Sequence, residues 1–301
     1  MNLINSVREL SNEIMNHEPK SVWVNHNKIE EVASALKSSE DSVWHEQDNK
    51  LSEENIFLYE LVANSVNYCY WYGRGDIRPN KASANTMYKI LDKVEVDSRK
   101  DPLTYERNII DIFYNRLKEE RFPLLKERET HLKELLYACD DITVGGKHEL
   151  YSGMRELYEY SEANNFDMLK TMKFVFANYN GFAEDLFLKR LQLLMMQLYR
   201  KTGKFADQIH LLTVPADYQI PKILRHLECI IYDFDLENIV DREILIPKGS
   251  SYEVEIRAAT IVACDKIAEL SDTNNVIVDN FLWQSRKLTK KPFHLTITTD
   301  Y

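Results

Sequence analysis

Stripes of apolar residues spaced three and four apart recur along most of the chain, with few residues to interrupt them. In "NSVRELSNEIMNH" the stripe is Val7, Leu10 and Ile14; in "HNKIEEVASALKS" it is Ile29, Val32, Ala35 and Leu36. That period marks one face of an α-helix, and such a face needs a partner surface to bury it. Only 8 Gly and 8 Pro occur in 301 residues, which argues against a turn-rich barrel or sandwich. The same pattern predicts a helix over 52–71, with Ser52 as N-cap and Glu54 or Asn55 in its first turn. Others are predicted at "PLTYERNIIDIFYNRLKEE", at "PLLKERETHLKELLYACDD" and across 153–200, broken at Asn178, Asn180 and Gly181. Three more follow: "PADYQIPKILRHLECIIYD", "SSYEVEIRAATIVACDKIAEL" and "NNVIVDNFLWQSRKL". The run "VIVDNFLW" also suits a strand, but its polar neighbours favour a helix. No Pro-, Gly- or Ser-rich linker and no fixed-period repeat divides the chain. The predicted fold is all-α, a single compact multi-helix domain over 1–301 with an N-terminal part of about 1–150 and a C-terminal part of about 151–301.

Charge narrows the partners. Lys plus Arg is 38 against 48 for Asp plus Glu, a formal net charge of −10. Duplex nucleic acid is therefore not an expected partner, since phosphate affinity comes from clustered cations, whereas a single nucleotide remains admissible. No apolar run approaches the roughly 18 residues of a membrane span, and the N-terminus shows no basic stretch leading into an apolar one. Cys69, Cys139, Cys229 and Cys264 form no C-x-x-C pair and read as buried, reduced thiols. A soluble, cytoplasmic protein is the expectation; oligomeric state leaves no signature. There is no Gly-rich phosphate loop and no H-E-x-x-H, "YGRGD" reads as a turn, and His148 and His210 stand alone, so neither metal nor cofactor is expected.

One stretch resists a purely structural account. In "LLTVPADYQIPKIL", residues 211–224, a polar tetrapeptide sits between two prolines and two apolar runs. Asp217 suits a helix cap, with Pro221 in the first turn where its missing N–H costs little. It equally suits a carboxylate held rigid for chemistry. A cap is itself a rigid mount, so the two readings are compatible.

Four segments occur in order in the C-terminal third: "KRLQLL" (189–194), "ADYQIPKIL" (216–224), "YEVEIRAAT" (252–260) and "VDNFLW" (278–283), followed by "KPFHLTITTDY". Upstream lie "NSVNYCYW" (64–71) and "FPLLKERETHL" (122–132). The set resembles the queuosine salvage proteins, queuosine 5′-phosphate N-glycosylase/hydrolases, across about 174–301 and more thinly across 55–135. No single motif is diagnostic; their order and spacing are. The resemblance implies an all-α fold related to helix-hairpin-helix DNA glycosylases, with the C-terminal part catalytic. It implies hydrolysis of the bond between a 7-deazaguanine base and ribose, releasing queuine for tRNA modification, without metal or redox cofactor.

Such a reaction passes through an oxocarbenium-like sugar, which a fixed carboxylate stabilises while it orients or deprotonates water. Asp217 is the candidate. Asp279 is the second, since one carboxylate accepts from two adjacent donors on a guanine-like edge. Which of the two handles water stays open. For the 5′-phosphate, Lys189 and His294 are candidates, Lys189 alternatively pairing with Glu184 or Asp185. Arg257 reads as structural, paired with Glu253 one turn away. Tyr218, Trp283, Phe281, Trp71 and Tyr68 are candidates to stack on sugar or base. The chain departs from the family pattern at Gln219 and Gln284, and at "GRGDIRPNKASANTMYKIL" after "NYCYW". The last departure leaves open a different modified purine nucleotide as substrate; a binding protein without turnover is a further alternative.

Overall fold

A computed structural model describes residues 2–18, 20–38, 51–72, 82–98, 105–137 and 155–301. Helix α1 (Leu3–Asn16) leads through strand β1 (Val22–Val24) into α2 (His26–Ser38). Helices α3 (Glu53–Ser65), α4 (Ala84–Ser98), α5 (Tyr105–Glu119) and α6 (Leu125–Tyr137) follow. The second half holds α7 (Glu156–Ala163), α8 (Met168–Asn178), the single turn α9 (Asn180–Ala183) and α10 (Lys189–Thr202). After a 3-10 turn at 206–211 come α11 (Gln219–His226), β2 (Ile230–Tyr232), α12 (Phe234–Asp241), α13 (Ser251–Ser271) and α14 (Asn275–Ser285).

The all-α expectation holds, with one small addition. β1 and β2 pair antiparallel, Val22 opposite Tyr232 and Val24 opposite Ile230. The helix predicted from the sequence runs through "ECIIYD". Instead Glu228 takes a left-handed backbone, φ 58°, and the β-branched pair Ile230–Ile231 extends against β1, as such residues prefer. Two other predicted helices are shorter for similar reasons. The run 153–200 breaks at Asn165 and Phe166, both left-handed, and Asp167 then caps α8 by accepting from the Lys170 N–H. It breaks again before Leu188, φ 53°. Helix α3 is capped by Ser52, which accepts from the Asn55 N–H, yet it ends at Ser65 rather than Trp71. "VIVDNFLW" is helical, as part of α14. "YGRGD" falls mostly on residues 73–81, and Cys139 and His148 on 138–154, all outside the described residues; the three other cysteines are buried and free.

Helix α13 is the axis of the packing. It is capped by Ser250 and is buried over much of its circumference, as a helix without a single apolar face must be. Helices α1, α2, α11 and α14 and both strands pack on it. A second layer joins α3 to α10, α6 and α7. At Gly181, the second residue of α9, a Cβ would stand 2.9 Å from the His131 ring, so only glycine lets α6 approach this closely. No described helix is long and apolar enough to cross a membrane.

Candidate active site

Asp217 stands two residues before α11. One carboxylate oxygen accepts from the Gln219 N–H at 2.7 Å and the Ile220 N–H at 3.2 Å. Pro221 lies in the first turn, so the capping reading is realised. The carboxylate is partly accessible, and burial raises its pKa while Lys189, the two amides and Arg257 oppose that rise.

Lys189 is the first residue of α10 and is buried. Its ammonium donates to the Asn67 carbonyl at 3.1 Å. Burial depresses it to about 8, against the pull of Asp217 and Asp185. Asp217 rises and Lys189 falls although they attract each other; removal from water outweighs the mutual attraction in both. Asp279, on α14, completes the cluster. Burial lifts its carboxyl to about 6, Asp217 adding to the rise while Arg200 and Lys189 oppose it. Arg200 stands 3.7 Å away, at the far end of α10 from Lys189. Helices α10, α11 and α14 thus bring two carboxylates and an ammonium within one another's field.

Aromatic side chains form a wall at Tyr218, the residue after Asp217. Trp71 meets Tyr218 edge-on, centroids 4.5 Å apart, and Phe293 lies 5.2 Å from Trp71 and 4.7 Å from Tyr218. The Trp71 indole N–H is buried and meets no protein acceptor. Phe281 is half-buried on α14. Trp283 is 41% exposed, with the Arg286 guanidinium over its ring. Arg286 opens a 3-10 turn, 286–288, that packs against α11 and feels the charge of Asp217.

Two candidates sit in other surroundings. Tyr68 is fully buried between guanidinium groups, Arg128 at 4.5 Å and Arg190 at 4.9 Å from its ring centre. His294 is buried beside Tyr301, its Nε2 3.0 Å from the hydroxyl. Burial and Arg257 drive its pKa down to about 3, so the ring is neutral and brings no charge for a phosphate.

The segment from Ser65 to Cys69 is mounted by its backbone. Arg190 takes the Ser65 carbonyl, Arg128 those of Val66, Tyr68 and Cys69, and Lys189 that of Asn67. Five consecutive carbonyls in irregular, buried backbone are thereby satisfied by three cations, an account that a helix or sheet would otherwise close. The Cys69 N–H donates to the Tyr301 carbonyl at 2.8 Å. The segment delivers Trp71 to the aromatic wall.

The profile described as queuosine salvage protein matches residues 44–301. The chain belongs to the queuosine salvage protein family. A Sphaerobacter thermophilus protein named queuosine 5′-phosphate N-glycosylase/hydrolase is 27% identical over 94% of this chain and 94% of its own length. Proteins of the same name from Schizosaccharomyces pombe and Dictyostelium discoideum are 28% and 34% identical. They align over 56% and 38% of this chain, and over 50% and 40% of their own lengths. Among the described residues no group of three His, Cys, Asp or Glu side chains is placed to hold a metal.

Sequence reasoning missed Arg200, Arg286 and Phe293. Arg200 lies eleven positions after Lys189, three helical turns along the same helix, and that spacing was the available signal. Phe293 adjoins His294 in a matched segment. Arg286 lies seven positions after Asp279, two turns on.

Proposed function

We propose that this chain is an N-glycoside hydrolase that releases queuine, a 7-deazaguanine base, from queuosine 5′-phosphate, as its relatives' names describe for them. The observation that carries the reading is that the partly accessible Asp217, the buried Asp279 and the ammonium of Lys189 lie within one another's field, with an aromatic wall at Tyr218 beside Asp217. The cluster is costly to stability, and structures retain such clusters where chemistry uses them.

Asp217 stands opposite the anomeric carbon, held by two backbone amides and kept ionised by Lys189. As the bond to the base lengthens, positive charge on the sugar draws on this fixed carboxylate, which also orients the attacking water. Asp279, backed by Arg200, accepts from the two adjacent donors of the guanine-like edge. Tyr218 and Trp71 flank the nucleoside, and Trp283 and Phe281 line the α14 side. The phosphate falls to Arg286, which feels the charge of Asp217, whereas Lys189 and Arg257 are buried and hydrogen-bonded. His294 and Tyr68 belong to the scaffold.

Chromatography with mass detection tests this. Purified protein is incubated with queuosine 5′-phosphate, queuosine and GMP, beside Asp217→Asn and Arg286→Ala. Queuine appears from the phosphate with wild type and falls about 10²- to 10⁴-fold with Asp217→Asn. Arg286→Ala raises KM for the phosphate form and leaves the free nucleoside unaffected. Equal turnover by Asp217→Asn returns that residue to a cap, and no base from any substrate ends the hydrolase reading.

A further inference from the structure

Lys189 opens α10 and Asp217 stands two residues before α11, and one buried ion pair ties their backbones together. Arg257, on α13, is 1% exposed. Its Nε donates to the Ala216 carbonyl at 3.0 Å, the peptide that leads into Asp217. Its two terminal nitrogens fork onto Asp185 at 2.8 and 2.7 Å. Asp185 in turn accepts from the Phe187 N–H at 3.0 Å and from the Lys189 N–H at 2.7 Å, fixing where α10 begins. The path from one functional residue to the other is therefore continuous: Asp217, Ala216 carbonyl, Arg257, Asp185, Lys189 amide.

The guanidinium has little freedom to move. The rings of Tyr301 and Phe187 lie 4.4 and 4.7 Å from its carbon, and Glu253, one turn earlier on α13, takes a further contact at 3.4 Å. Pairing with Glu253, the whole of the role read from sequence, is the longest of its hydrogen bonds. The field of Arg257 also reaches both residues, favouring the ionised form of Asp217 and the neutral form of Lys189. A planar fork with a third donor at Nε makes all three connections at once; a lysine ammonium supplies the charge without that geometry.

We propose that the Arg257–Asp185 pair is a positioning device for the proposed hydrolase centre, setting the separation of Asp217 and Lys189. Neither member touches substrate. The inference rests on the functional reading for its consequence in turnover, but its structural claim is tested separately.

Two measurements on Arg257→Lys decide it. Amide hydrogen exchange, which needs no substrate, is compared with wild type. Exchange rises about ten-fold or more at 187–189 and 217–220 and is unchanged in α1, α5 and α8, as local loosening requires. In turnover of queuosine 5′-phosphate, kcat falls about 100-fold with KM within about three-fold, a loss confined to the transition state. The double variant Asp217→Asn/Arg257→Lys is no slower than Asp217→Asn alone, because a positioning residue has nothing left to position. Should Arg257→Lys not fold, Asp185→Asn, which keeps the side chain's shape, enters the same measurements. Unchanged exchange at both segments, a uniform rise along the chain, or additive kinetic losses each overturn the proposal. If wild type releases no base, the functional reading fails while the exchange result still decides the brace.

Discussion

Asparagine serves as an N-cap about as well as aspartate, which makes Asp217→Asn unusually informative. The variant keeps an oxygen for the Gln219 and Ile220 amides and loses only the charge. Its midpoint of thermal unfolding should stay within about 3 °C of wild type, the scale of a sub-kcal/mol change, while turnover collapses. The pH dependence follows from the neighbouring groups. Asp279 must be ionised to accept from both base donors, so kcat/KM should rise as pH passes about 6. Lys189 must be charged to hold Asp217, so activity should fall as pH passes about 8. Asp279→Asn should erase the acid limb in a pH-rate series. Stability carries the opposite sign at Asp279. The folded protein holds its proton up to about 6 against an ordinary 3.8. That contribution is complete below the ordinary value and is lost as pH rises through about 6, on the order of 2–3 kcal/mol. Unfolding followed across that window should show the slope, and Asp279→Asn should flatten it.

At the scale of elements, helix positions were legible wherever apolar spacing and a cap coincided, as at Ser52, and α14 was recovered despite its strand-like composition. Helix boundaries were less legible, because non-glycine residues in left-handed backbone mark them: Leu188 before α10, Glu228 after α11 and Asp272 after α13. Asp272 is of a residue type enriched in that conformation, but nothing in the side chains of Leu188 and Glu228 announces it; surrounding contacts impose it. The site shows the same divide. Asp217, Asp279 and Lys189 stand out in the sequence because the proposed chemistry demands those groups. The reach of Arg257 to Ala216 and Asp185, 41 and 72 positions away, leaves no local trace. The segment 65–69 is the clearest case, since its mounts read carbonyls and not side chains. Arg128→Ala strips three of those carbonyls of a donor, together with the bond to Pro123. Urea unfolding should report a loss of about 3–5 kcal/mol, the range for removing one side of a buried charged network.

The whole molecule is more continuous than the family match suggests. The matched region begins at residue 44, yet α1 and α2 pack on α13 and β1 supplies the only partner strand of β2 among the described residues. Arg8 reaches from α1 to Asp265 and to the carbonyls of Leu211 and Leu212. A chain beginning at residue 44 would bare the outer faces of α13 and remove the Arg8 guanidinium from Asp265 and from the Leu211 and Leu212 carbonyls. Its expected behaviour is aggregation, or a thermal midpoint more than about 10 °C below that of the full chain, measured side by side.

The five-carbonyl mount also bears on the order in which the molecule assembles. The side chains that seize Ser65 to Cys69 come from 59 to 125 positions further along, so no local turn or hairpin prefigures the arrangement. Long loops must close and α3, α6 and α10 must meet before any of the contacts forms. The segment is accordingly expected to lock into place after the transition state, and weakening its mounts should shorten the lifetime of the native state in unfolding kinetics while leaving the refolding rate almost untouched.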